Sequence, residues 1–175
     1  MSAIDSTESL VTLAAQATWQ CTSMGFAHAS VLSGTQAFVA VGTLARASSR
    51  AEIDAVLRDV ALTEGYDAQA VLDLANAALA LEELGSVDAI ALFSAVCEQA
   101  EDLHPHVTGA GSPPPVAIAP DGEVLSATGG LRLERGSTVV LAAGGAPLRP
   151  EDVRRAIDHT DGAPAPRTLL RVLIG

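Results

Sequence analysis

The hydrophobic period changes twice along this chain, and that order constrains its fold more than any other feature. From Ala17 to Val41, apolar residues recur in short runs, "ATWQCTSMG", "FAHASVLSG" and "TQAFVAVG", punctuated by Gly25, Ser33 and Gly34. Such runs read as a meander of two or three antiparallel strands. The period then lengthens to 3.6. Ser49 and Glu52 have the spacing of a capping box, and Ile53, Val56, Leu57 and Val60 follow on one helical face. A second helix is predicted from Asp67 to Leu84, with Asp67 as N-cap and Gly85 as stop. Its expected buried face is Val71, Leu74, Ala75, Ala78 and Leu81. From Val87 the period returns to two. "DAIALFSAVCEQ" with "LHPHVTGAG" predicts a strand pair, and "PVAIAP" with "EVLSATGG" a hairpin turning at Asp121 and Gly122. "STVVLAAGG" has the unbroken apolar character of a central strand. Pro150, Glu151 and Asp152 open a short helix to His159, "APAPR" is a stiff link, and "TLLRVLIG" is a final strand. Strands in blocks, with two consecutive helices between them, predict an α+β fold rather than alternating βαβ units.

A length of 175 residues suits one domain. Residues 17–175 read as that domain, and 1–16 as an N-terminal tail or a first strand or helix. Aromatics are 3% of the chain, so the core must be built from Ala, Val, Leu and Ile, and base-stacking platforms for single-stranded nucleic acid are nearly excluded. All ten basic residues are arginine, which excludes Schiff-base, Walker-type and Ser-Lys chemistry. The net charge of −11 is uneven: residues 1–102 hold 14 acids against three arginines, whereas 103–175 hold seven of each. Nucleic acid and anionic membranes are poor partners for such a chain. Cys21 and Cys97 stand in no metal or disulfide spacing. The acidic start "MSAIDSTES" is no secretory signal, and no run reaches the roughly 18 apolar residues of a membrane helix. A cytoplasmic protein, monomer or homodimer, is the expectation.

Few residues have the spacing of a reaction centre. His104 and His106 flank Pro105 on one strand face, without a third ligand in sequence. "GTLARASS" (Gly42–Ser49) has the small residues of an anion-cradling turn before a helix, but neither the glycine spacing nor a lysine. "GAGSPPP" (Gly109–Pro115) reads as a tight, stiff loop.

Several strings, in order, resemble the metal-dependent protein phosphatases of type 2C, in the bacterial branch typified by the sporulation stage II E phosphatases and Rsb-type regulators. "LRLERGSTVVLAAGGAPL" (Leu131–Leu148) is similar to that family's L-x-L-x-x-G-D-x-h-h-L-x-T-D-G-h, where h is apolar. "AGSPPPVAIAPDGEV" (Ala110–Val124) resembles A-G-H-P-P-P-h-h-h-x-x-D-G, "AFVAVGTLARASSRAE" resembles h-h-h-x-D-G-h-G-x-G-x-x-A, and "APRTLLRVLIG" resembles D-D-x-T-h-h-h-h-x. The resemblance spans residues 17–175 and implies two antiparallel β-sheets packed as a sandwich flanked by helices.

It also implies a pair of Mg²⁺ or Mn²⁺ ions held by aspartates, with a bridging water as nucleophile. Here the chain departs from the family. The metal-holding aspartates fall at Val41 before Gly42, at Gly144 before Gly145, and at Ala165. None of the three offers a side-chain oxygen. The acidic segment near the start of the domain corresponds to "AHAS" (Ala27–Ser30), and the aspartate after Gly136 to Ser137. The resemblance therefore implies a retained fold with a lost two-metal site and no cofactor: a pseudophosphatase that binds a protein partner. The candidate partner surface is the acidic side of the helix pair, with Asp73, Glu82 and Glu83 off the apolar face; in the preceding helix Asp54 and Arg58 form an i,i+4 pair beside Glu52 and Asp59. Two other readings stand beside this one. One is an active hydrolase using Asp88, Asp121 or Asp161 with His104 or His106; the other is an unrelated α+β domain.

Overall fold

The computed structural model describes residues 18–19, 24–33, 36–64, 67–99, 102–134, 136–143, 148–149 and 169–173. The strands are β1 (Thr18–Trp19), β2 (Gly25–Ser33), β3 (Gln36–Leu44), β4 (Gly85–Gln99), β5 (Asp102–Gly111), β6 (Val116–Ile118), β7 (Val124–Ser126), β8 (Leu131–Arg132), β9 (Thr138–Ala142) and β10 (Leu169–Leu173). Helices α1 (Arg50–Glu64) and α2 (Ala68–Leu81) lie between β3 and β4. Among the described residues the strands form two five-stranded sheets, one ordered β1-β10-β9-β6-β7 and the other β2-β3-β4-β5-β8, and every pairing there is antiparallel. The α+β class is as the sequence pattern predicts, and the two-sheet sandwich is as the resemblance implies.

Alternation along β3 and β4 builds two cores from one sheet. Ala37, Val39, Val41, Ala91 and Phe93 point at the other sheet, where they meet Val139, Leu141, Leu170 and Val172. Phe38, Ala40, Ile90 and Leu92 point the opposite way, onto Ile53, Leu57 and Ala61 of α1 and Val71, Ala75 and Leu79 of α2. A strand buried on both faces explains why its sequence is almost wholly apolar. The register slips between Val41 and Gly42, so that Val41 faces Ala89 while Gly42 faces Val87. Asp88 is the extra residue of this bulge, which lets Val87 turn to the helices and Ala89 to the other sheet.

Several local expectations change in the folded chain. The first strand-like piece does not join the β2–β3 hairpin; Thr18 and Trp19 pair with Leu170 and Leu169 in the opposite sheet. The predicted capping box is replaced by a 3₁₀ turn over Ala47–Ser49, and Ser49 is buried with its N–H on the Arg46 carbonyl. Asp67 does cap α2, its Oδ1 accepting from the N–H groups of Gln69 and Ala70 at 3.0 and 3.3 Å. The helix ends at Leu81, three residues short of the predicted Leu84, and Glu83 takes a positive φ of 53° before Leu84 turns inward. Asn76 ties α2 to β4 by mimicking a strand: its amide donates to the Val87 carbonyl at 3.0 Å and accepts from the Val87 N–H at 2.7 Å. The predicted helix from Pro150 to His159 lies outside the described residues.

Candidate functional site

Val41 has no exposed surface and sits between the sheets with Val39, Ala89, Leu141 and Ala143. Gly42 faces the helices. A Cβ there would lie 2.7 Å from the Phe26 ring and closer still to the Ser86 carbonyl oxygen. The glycine is thus demanded by close packing of β3 against Phe26 and β4. Gly144 and Ala165, the other positions where the resemblance expects metal-holding aspartates, lie outside the described residues, as does the neighbouring Gly145. Among the described residues no three His, Cys, Asp or Glu side chains group as metal ligands would.

The exposed side of the helix pair carries the acids, as the sequence predicts, but not the expected apolar face. The buried residues of α2 are Ala68, Val71, Leu72, Ala75 and Leu79. Leu74 and Leu81, predicted to be buried, are 38% and 87% exposed. The helix is apolar nearly all round, with only Gln69, Asp73 and Asn76 polar, so its pattern defines no single face. The strand-like bond of Asn76 to Val87 sets its rotation. Leu74 and Leu81 therefore face outward seven residues apart, with Ala77 between them and Ala70 one turn before Leu74. Asp73, Glu82 and Glu83 are exposed beside this stripe, and Gln69 donates to Asp73 at 3.0 Å. Leu62 of α1 is also 57% exposed.

Asp54, expected to pair with Arg58, turns instead to His28. His28 on β2 is buried, with Nδ1 2.9 Å from Asp54 Oδ1 and Nε2 3.3 Å from Ser30 Oγ. The Phe38 ring lies against the imidazole at a centroid distance of 5.7 Å and a tilt of 58°. Burial lowers the pKa of His28 from its ordinary value; the Asp54 hydrogen bond and charge oppose this, and Arg58 and Arg50 add to the lowering. The ring is therefore neutral at neutral pH. Sequence reasoning saw "AHAS" only as a segment without a carboxylate. The signal that would have found this cluster is His28 and Ser30 at i,i+2 on one strand face.

Neither a family model nor a curated protein matches the sequence. Three solved structures are similar in shape. The phosphatase domain of SpoIIE from Bacillus subtilis, determined with a fragment of its regulatory domain, superposes with a TM-score of 0.52 at 13% identity, over 87% of this chain and 58% of that one. A second crystal form of the same phosphatase domain gives 0.48 at 15% identity, over 89% of this chain and 87% of that one. The RsbU and RsbW domains of a Mycobacterium tuberculosis protein give 0.47 at 13% identity, over 90% and 62%. The fold is that of a type 2C phosphatase domain. This chain spans less than two thirds of the first of these structures.

On the type 2C fold, the remaining sequence candidates scatter. His106 is half-buried on β5 opposite Ser94 and Arg132, the side chain of His104 lies outside the described residues, and so does Asp161. Asp88 marks the β4 bulge, and Asp121 turns the β6–β7 hairpin by accepting from the Glu123 N–H at 2.9 Å. By register Asp88 stands six residues along β4 from Ser94, the partner of His106, and its carbonyl accepts from the Ser112 N–H at 3.0 Å. Of the Gly42–Ser49 string, Gly42, Thr43 and Leu44 belong to β3 and Ala47–Ser49 to the 3₁₀ turn before α1. Of the expected Gly109–Pro115 loop, Gly109–Gly111 instead ends β5 because it pairs with β4; Pro115 packs against Gly109, whose N–H donates to the Ala127 carbonyl at 2.6 Å. A shallow cavity of about 210 Å³ lies where Asp67–Gln69 meet Thr108–Gly111 and Thr128. No helix among the described residues is long and apolar enough to cross a membrane.

Proposed function

We propose that this chain keeps the type 2C phosphatase fold without the phosphatase reaction and acts as a protein-binding regulatory module in phosphorylation-linked signalling in the cytoplasm. The observation that carries the reading is the outward stripe of Leu74 and Leu81 bounded by Asp73, Glu82 and Glu83. Leucine exposed at heptad spacing on a helix is costly in water unless something covers it. Carboxylates and no cation along α2 select a partner that is apolar at its centre and basic at its rim.

The donor set supports the loss of metal chemistry. Two divalent ions need several hard oxygen ligands. Val41 supplies a buried isopropyl group instead, and the sequence supplies Gly144 and Ala165 at the other two positions. The residues present do not fit a metal pair, and no hydrolytic step is derived through one.

The test has two arms. With p-nitrophenyl phosphate and Mn²⁺ the protein is expected to show no metal-dependent turnover, and calorimetry no Mn²⁺ affinity tighter than roughly millimolar. Immobilised on a resin, the wild type is expected to retain a partner from native cell extract at low salt and to release it as salt rises. The double variant Leu74→Ser, Leu81→Ser is expected to retain nothing, and Glu82→Gln with Glu83→Gln to weaken capture chiefly at low salt. Metal-dependent turnover or a micromolar two-site isotherm overturns the inactivity. Equal capture by wild type and the leucine variant overturns the surface.

A further inference from the structure

We propose that Ser30, His28 and Asp54 form a metal-independent nucleophilic relay in which Ser30 attacks small carboxylic esters. His28 and Ser30 fall in the Ala27–Ser30 string that the resemblance aligns with the family's acidic segment, but they contact α1 and Phe38 rather than the inter-sheet face of Ala27 and Val41, and the relay does not rest on the partner-binding reading. It stands on connectivity: Asp54 Oδ1 to His28 Nδ1 at 2.9 Å, and His28 Nε2 to Ser30 Oγ at 3.3 Å. A carboxylate oxygen only accepts, so Nδ1 carries the proton and donates to Asp54. Nε2 is left with a lone pair aimed at the Ser30 hydroxyl, which donates to it. That is the tautomer and the order that a serine nucleophile needs.

The supporting elements are rigid. Ser30 and His28 are two apart on β2, paired with Phe38 and Ala40 of β3, and Asp54 stands in the first half of α1. Phe38 holds the imidazole from the β3 side. His28 is sealed, whereas Ser30 is half-buried and so keeps a path to solvent. The charged groups that act on the ring are Asp54, Arg50 and Arg58, all from α1. Arg50 reaches the β2 backbone, its Nη2 donating to the Ala27 carbonyl at 3.4 Å.

The reaction balances without metal or redox partner. Ser30 Oγ bonds to the ester carbonyl carbon while its proton passes to His28 Nε2. Collapse of the tetrahedral intermediate breaks the bond to the leaving alcohol, which takes the proton from His28. Water then attacks the acyl-Ser30 ester by the same route and returns the hydroxyl. Ser30 is the catalytic residue, His28 the base, and Asp54 a positioning residue.

The test treats the full chain, in excess EDTA, with a fluorophosphonate probe and with p-nitrophenyl acetate, and maps the adduct by mass spectrometry. Wild type is expected to carry one adduct, on Ser30, and Ser30→Ala none. His28→Gln is expected to label about 10²–10⁴-fold more slowly, the usual contribution of a positioned general base. The wild-type rate is expected to rise with pH and level off below the ordinary histidine value; in Asp54→Asn, which loses the groups that raise the His28 pKa, that midpoint moves lower. A merely structural Asp54 would leave the midpoint in place. Absence of a Ser30 adduct in folded wild type overturns the proposal, as does labelling undiminished in His28→Gln. Should His28→Gln fail to fold, the wild-type pH profile decides, since a rate with no titration below pH 6.5 equally overturns it.

Discussion

Replacing Val41 by aspartate restores the residue type that the type 2C resemblance assigns to this position, and the structure dictates what it should cost. The side chain is fully buried between two sheets, among Val39, Ala89, Leu141 and Ala143. Val41→Ala removes two methyl groups, worth about 1.6 kcal/mol of transfer energy, and leaves a cavity that brings the loss to about 2–3 kcal/mol. Val41→Asp loses the same apolar volume and also buries a carboxyl group without a partner, which adds about 2–3 kcal/mol even when protonated. The carboxyl therefore has its pKa raised in the folded state. An acid with a raised folded pKa is fully tolerated only below its unfolded value, near 3.9, and stability is lost as pH rises toward the folded pKa, by about 1.4 kcal/mol per unit. Against a typical total of about 5–15 kcal/mol, the variant should approach unfolding at neutral pH. Urea titrations of wild type, Val41→Ala and Val41→Asp at pH 4, 5.5 and 7 measure this directly. The expected pattern is a wide gap between the two variants that grows with pH. An aspartate variant as stable as the alanine variant, with no pH dependence, would refute the argument. It would mean that the position opens to water or to a cation, and a selective gain on adding Mn²⁺ would favour the cation.

Two further outcomes follow from described bonds. Because burial lowers the pKa of His28, the folded state resists a proton that the unfolded chain accepts. Stability is therefore fully present above pH 6.5 and is lost as pH falls below it toward the folded pKa; the titration midpoint in urea should drop over that window in wild type and stay flat in His28→Gln. Asn76→Leu should cost about 2 kcal/mol by leaving both backbone groups of Val87 without their side-chain partner, as read by denaturant unfolding, and a change under about 0.5 kcal/mol would show that water replaces the amide.

The sequence carried the elements and their order. Alternation marks β4 and β5, short apolar runs mark β3 and β9, the 3.6 period marks both helices, Asp67 marks the start of α2, and Asp121 with Gly122 marks the β6–β7 turn. These are local effects: side-chain period, cap and turn chemistry act within a few residues. The two-sheet sandwich was also legible, through the resemblance, whose strings fall on β3, β6, β9 and β10.

What the sequence left open depended on which faces meet. An α2 built from alanine and leucine offers several equivalent faces, and only the bond from Asn76 to Val87, with the packing of Val71 and Leu79 on β4, chose the one that leaves Leu74 and Leu81 outside. Thr18 and Trp19 joined the sheet opposite their sequence neighbours because strand pairing is a long-range choice. Asp54 had a ready partner in Arg58 by helical spacing, yet it meets His28, 26 residues away. No local pattern encodes that approach; it exists because α1 packs on the face of β2 that carries His28 and Ser30.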